Sequence, residues 1–189
     1  LRLRPLHHGD ADAVAAMLGD WAVSRMLFDV PHPCPPNTAR HWVRRGLDEQ
    51  AYAVELAGEV IGAVTYFDDG PRSAEIGFII RRDRWGQGFA AEAARRVIDH
   101  AFAADGIDEF RSRHVVDNAR SRRVLERLGF TEIGRETSFL ASRGQAVEVA
   151  TYRLPREAAV AAASAGRRRR HRPPVTRPLR RLAWRLRLR

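Results

Sequence analysis

Leu1–Leu6 alternates apolar and polar side chains, the period of a short half-buried strand. Asp10 or Asp12 is placed to cap a helix through Val14–Leu18, and Trp21–Leu27 reads as a second helical piece. Four prolines in Pro31–Pro36 impose a non-helical turn, after which Asn37 or Thr38 caps a helix reaching about Gln50. Tyr52–Leu56 and Val60–Phe67 are strands joined by a short hairpin at Ala57-Gly58-Glu59, and Ala74–Ile80 is a third strand. Beyond Gly88 the period changes. Ala90, Ala93, Ala94, Val97, Ile98, Ala101 and Phe102 recur at three- and four-residue spacing, one buried face of a helix running to Ala104. Phe110–Val116 is a strand, Asn118–Leu128 a helix stopped by Gly129, and Phe130–Leu140 and Val147–Leu154 two more strands turning at Gly144. No repeat is visible. The pattern predicts a mixed α/β sheet flanked by helices, ending near Arg156.

Composition narrows the classes. The 189 residues suit one domain with a substantial core. No apolar run approaches the ~18–20 residues of a membrane span, and Leu1–Leu6 does not resemble a signal peptide. A cytoplasmic protein is expected. The single cysteine, Cys34, excludes an internal disulfide and a Cys-rich metal site, and no metal is expected. The net charge of +10 is local: Arg167–Arg189 holds eleven arginines and no carboxylate. Removing those eleven from the 33 basic residues leaves 22 against 23 acidic ones, so residues 1–166 carry a net charge of −1.

Two segments carry chemistry. Trp85-Gly86-Gln87-Gly88-Phe89-Ala90 lies between a strand and a helix. Its glycines let the backbone approach a ligand, and the helix offers unpaired N–H groups and a positive dipole end, a natural pyrophosphate cradle. Taken alone, it is equally a tight turn. About thirty residues on, Asn118 opens a helix that ends at Leu128-Gly129-Phe130; alone, Asn118 is an ordinary N-cap and Gly129 an ordinary stop.

Together these segments resemble the GNAT acetyltransferases, and more closely the Rim-type branch that acetylates N-termini of ribosomal proteins. The resemblance covers roughly Leu1–Leu154. It rests on Pro31-His32-Pro33 before a helix carrying Trp42, Ala74-Glu75-Ile76-Gly77-Phe78, Trp85–Ala90 with Glu92-Ala93, and Asn118, Ser121, Arg123 and Val124 before Leu128-Gly129-Phe130. It implies a GNAT fold over residues 1–156, with a central mixed, mostly antiparallel sheet of six to seven strands and about four helices. The Ala- then Arg-rich tail, residues 157–189, is expected to be disordered.

The same resemblance implies acetyl-CoA as cosubstrate. Free backbone groups around Ile79 and Ile80 would pair with the pantetheine arm, the amides of Gly86–Ala90 would hold the pyrophosphate, and Asn118 would reach the thioester. Asp83 stands where many members carry Gln or Arg and cannot donate to phosphate, leaving Arg82 or Arg84 for that role. The expected contacts are Ile79, Ile80, Arg84, Trp85, Gly86, Gln87, Gly88, Phe89, Ala90 and Asn118. Leu125 occupies the position of the proton-donating tyrosine of many relatives, so the resemblance moves the acid to Ser121 and puts the base at Glu75. The bland alternatives are a solvent-facing helix serine and a strand-edge carboxylate paired with an arginine. The histidines have no motif partner.

The acceptor is expected to be a primary amine, such as the N-terminus of a ribosomal protein. A protein α-amine, with pKa near 7.7–8.0, is about 10–20% neutral at pH 7, whereas a lysine amine near 10.4 is only about 0.04% neutral. Close relatives also acetylate small amines and antibiotics. The rival to an enzyme is an inactive GNAT fold whose Arg167–Arg189 tail, with Trp184 among its leucines and arginines, binds RNA or an anionic membrane surface.

Overall fold

A computed structural model describes residues 1–48 and 50–162. Strand β1 is Arg2–Pro5, followed by helices α1 (Ala11–Gly19), α2 (Trp21–Ser24) and α3 (Pro36–Asp48). Strands β2 (Gln50–Leu56), β3 (Glu59–Asp68) and β4 (Ser73–Ile80) form an antiparallel meander. Then come α4 (Phe89–Ala104), β5 (Glu109–Val115), α5 (Ala119–Leu128), β6 (Thr131–Leu140) and β7 (Gln145–Pro155). A last helical segment, α6 (156–162), starts where the catalytic domain was expected to end and buries Ala159 in the main core. The Arg167–Arg189 tail lies outside the described residues.

All seven strands join one sheet in the order β1-β2-β3-β4-β5-β7-β6, and only β4 and β5 run parallel. The fold is the mixed, mostly antiparallel sheet that the resemblance implies. One face packs Val54, Val64, Ile76 and Ile80 against Ala94, Val97, Ile98 and Phe102 of α4 and Leu125 and Leu128 of α5. The other packs Ala53, Ala63 and Ile79 against Val14, Met17 and Leu18 of α1 and Val43 of α3. The period-2 alternation of β4 thus sends neighbouring isoleucines to opposite cores.

Several local readings change. Asp10 precedes α1 but makes no cap bond to it. Its buried carboxylate instead takes Arg4 Nη1 and Nη2 at 2.8 and 2.7 Å and the His7 amide at 3.0 Å. A charge-assisted pair with the half-buried Arg4 outcompetes a cap. Pro36, not Asn37 or Thr38, opens α3, because proline's missing N–H costs nothing in a first turn. That helix stops at Asp48 because Gln50 is already paired in β2. The α2 helix ends at Ser24, after which Met26 and Leu27 make tighter bonds to Val23 and Ser24.

Candidate active site

The β4–β5 pairing is short. Only Ser73↔Glu109, Ala74↔Phe110 and Glu75↔Arg111 are in register, and beyond Glu75 the two strands diverge while β4 stays paired to β3 through Ile80. The gap so opened runs five residues, about 17 Å at ~3.3 Å per residue. At its foot the buried Ser112 hydroxyl donates to the Ile76 carbonyl at 2.9 Å, replacing the lost ladder bond with a side chain.

The backbone facing the gap follows from register. The Arg81 amide donates to the Ile61 carbonyl at 2.8 Å. Alternation along an antiparallel ladder then turns the polar groups of Ile79 toward β3 and those of Ile76, Phe78 and Ile80 toward β5. Trp85 Nε1 donates to the Ile80 carbonyl at 2.6 Å. The Phe78 amide and carbonyl and the Ile80 amide are left facing the opening. Of the two expected residues, Ile80 lines the gap with its backbone, while Ile79 contributes a buried side chain to the opposite core.

Two helix N-termini flank the mouth. At the first, Gly86 and Gly88 have φ of 78° and 84°, the left-handed region where a Cβ is strained. None of the described residues lies within 4 Å of the place a Cβ would take on Gly86, so among them the loop is open to a ligand there. Gly88 caps α4, leaving the first amides of Phe89 and Ala90 without helical acceptors. Asp83 is not aimed into this cradle: Arg81 binds it at 2.7 and 3.0 Å and holds its carboxyl below the usual range. Arg84 is shared between Glu59 and Asp83, each at 3.5 Å, and Arg82 lies 4.0 Å from Asp20. The arginines of this loop are therefore engaged by carboxylates.

At the second N-terminus, Asn118 caps α5 by accepting from the Ser121 amide at 3.2 Å. Its side-chain nitrogen also donates to Ser121 Oγ at 2.9 Å. With one lone pair so occupied, the Ser121 O–H is free to donate elsewhere. Leu125 is 1% exposed and belongs to the core.

Glu75 sits where β4 and β5 part, on the sheet face of Ile79 and opposite α4 and α5. It is half-buried and accepts from Arg113 Nε at 3.1 Å. Burial pushes its carboxyl up, Arg113 opposes that, and Asp69 and Glu136 add to it. Sequence reasoning missed Arg113, which also lies 3.5 Å from Glu136 and stacks over the Phe28 ring at 4.5 Å. A β-strand arginine carries no motif signal. Around it the chain is strapped together: the Ala141 amide donates to the Phe28 carbonyl at 3.0 Å. Arg143 donates to the Arg25 carbonyl at 2.8 Å and to both oxygens of Asp117 at 2.8 and 3.0 Å. The turn after α2 and the β6–β7 turn thus meet beside the residue preceding Asn118.

A parallel strand pair parted over a glycine cradle is the architecture of acyl transfer from CoA thioesters in the GNAT enzymes. The chain belongs to that family: residues 1–131 match the family model described as Acetyltransferase (GNAT) domain, and the protein is an acetyltransferase. Among curated proteins it is similar to the uncharacterised N-acetyltransferase p20 of Bacillus licheniformis, 27% identical over 82% of this chain and 92% of that one. It is also 27% identical to YdaF of Bacillus subtilis (strain 168), provisionally named a ribosomal N-acetyltransferase, over 82% of this chain and 90% of that one. Among solved structures, RimJ of Mycobacterium smegmatis in complex with CoA-disulfide aligns with a TM-score of 0.73 at 24% identity, covering 87% of this chain and 88% of that one. The ribosomal-protein-S5-alanine acetyltransferase of Vibrio fischeri aligns at 0.68 and 17% identity, over 81% and 91%. These last two are likenesses of fold.

Proposed function

We propose that the protein transfers the acetyl group of acetyl-CoA to the α-amine of a polypeptide N-terminus by direct attack with both substrates bound. The observation that carries this reading is the β4–β5 gap, with Glu75 on one sheet face and the N-termini of α4 and α5 on the other. The residues fit the cosubstrate. Phe78 and Ile80 offer unpaired backbone groups to the amides of a pantetheine arm, and the first amides of α4 after Gly88 are left to a pyrophosphate. Acetyl-CoA supplies an activated thioester carbonyl. The similarity to YdaF, provisionally named a ribosomal N-acetyltransferase, supports a ribosomal protein's amine as the acceptor.

In this reading Glu75 takes the proton of the incoming ammonium at its carboxylate, approached from the face that Phe28, Arg113 and Glu136 line. Its upward shift brings it nearer the pKa of an α-amine, which makes the transfer less uphill. Ser121 holds a proton at Oγ for the departing sulfur, and the positive end of α5 favours the negative charge developing there. The expected contacts Trp85, Gln87 and Asn118 remain in this assignment, Trp85 as the wall of the gap and Gln87 at its exposed rim. The test is mass spectrometry of peptide libraries with free or blocked N-termini, incubated with the protein and acetyl-CoA. Acetylation confined to free α-amines supports the reading; acetylation of free small amines alone overturns the acceptor.

The cytoplasmic location expected from the sequence belongs to the same proposal. No helix among the described residues is long and apolar enough to cross a membrane. The RNA or anionic-surface contact expected of Arg167–Arg189 falls on residues outside the described ones.

A further inference from the structure

Positive charge is concentrated at one place that the fold does not use. Residues 1–166 are nearly neutral, yet α5 carries Arg120, Arg122, Arg123 and Arg127 against the single carboxylate Glu126. Glu126 pairs with Arg122 at 3.9 Å, and Arg123 donates to the Ala119 carbonyl at 3.0 Å. Arg120 and Arg127 have no carboxylate or hydrogen-bond partner among the described residues. Seven residues apart, they share one face of the helix.

That face looks at the glycine cradle. Arg127 Nη1 lies 3.7 Å from where a Cβ would stand on Gly88, and the Arg120 guanidinium lies 4.5 Å from the Trp85 ring centre. A cation beside the positive end of α4 is unfavourable unless an anion sits between them. The loop's own Arg81 and Arg84 are paired with Glu59 and Asp83, and Arg82 lies 4.0 Å from Asp20, whereas no carboxylate among the described residues balances Arg120 or Arg127.

We infer that Arg120 and Arg127 form a two-cation clamp on the CoA pyrophosphate, completing from α5 a site whose amides come from Gly86–Ala90. The inference rests on the acetyl-CoA reading. It replaces Arg84 as the expected phosphate contact. Two guanidinium groups match the two negative charges of a pyrophosphate diester, and both present planar N–H forks suited to phosphate oxygens.

The test is isothermal titration of the full chain with acetyl-CoA, 3′-dephospho-acetyl-CoA and S-acetylpantetheine, which has no pyrophosphate. Arg127→Gln is expected to weaken acetyl-CoA about 10- to 100-fold, the range for a charged hydrogen bond, and Arg120→Gln by a smaller factor. The loss should be equal for 3′-dephospho-acetyl-CoA, and S-acetylpantetheine should bind both variants as it binds the wild type. Arg127→Lys should recover part of the affinity. Variants that bind acetyl-CoA within twofold of the wild type overturn the clamp, as does an equal loss with S-acetylpantetheine. A loss that disappears without the 3′-phosphate overturns the pyrophosphate assignment. A wild-type chain that binds no acetyl-CoA overturns the underlying reading instead, so the two failures are told apart.

Discussion

Glu75 and Asp10 are both carboxylates held by arginine, and their environments act in opposite directions. At Glu75 burial dominates and raises the folded pKa, so the ionised form costs stability near neutral pH. The cost is absent below the unfolded pKa and is complete once pH has risen through the folded value. Glu75→Gln should therefore raise the Tm at pH 7 while lowering kcat/KM about 100-fold and removing the acidic limb of its pH profile. Arg113→Met should move that limb to higher pH in the otherwise intact enzyme, because Asp69 and Glu136 then face Glu75 without the opposing guanidinium. A limb that stays put or moves down contradicts Arg113 as the residue that sets the base. Ser121→Ala is expected to lower kcat about 100-fold and leave the acetyl-CoA Kd unchanged; an unaltered kcat removes Ser121 as the acid. At Asp10 the Arg4 bonds dominate and the pKa falls, giving stability present above the unfolded pKa and lost as pH drops through the folded one. Asp10→Asn should cost about 3 kcal/mol in urea unfolding at pH 7, since it breaks a largely buried pair, and the cost should shrink progressively as pH falls below the unfolded pKa.

Among the elements, β4 decides the site. Its N-terminal half is held between β3 and β5, and its C-terminal half is held by β3 alone. Gly62 permits that hold: a Cβ there would stand 2.5 Å from the Ile79 carbonyl oxygen and from Ile80 Cδ1. Gly62→Ala should displace the gap-lining edge, costing about 2 kcal/mol of stability by overpacking and weakening acetyl-CoA binding. Unchanged unfolding and unchanged Kd would show that β4 tolerates the shift. The strands, α4, α5 and the glycine cradle were legible because their side-chain periods are long and their stops are glycines. The backbone that faces the gap was not. Side-chain alternation places Ile79 and Ile80 on opposite faces, but which of them turns its amide toward β5 depends on ladder register, which no local pattern encodes. Arg113 and the Arg143 strap were hidden for a related reason, since their partners lie 38 and up to 118 residues away in the chain. Arg120 and Arg127 did leave a trace, a heptad-spaced pair on a helix with little acid to balance it.

The molecule as a whole divides its labour across the sheet. The α4–α5 face presents helix N-termini and unspent positive charge, suited to a polyanionic cosubstrate. The opposite face presents Glu75, Glu136 and Asp69 beneath the strap of Phe28 and Arg143, suited to a cationic amine. Under the proposed function the gap joins the two, so attack takes place with both substrates bound and no acetylated enzyme forms. The most direct test of acetyl transfer to a peptide is liquid chromatography and mass spectrometry of the full chain mixed with acetyl-CoA and a peptide bearing a free α-amine. The predicted result is acetylpeptide and free CoA in equal amounts, with no acetyl adduct on the protein before the peptide is added. An acetyl group found covalently on the protein, or acetyl-CoA left intact beside every peptide offered, would contradict it.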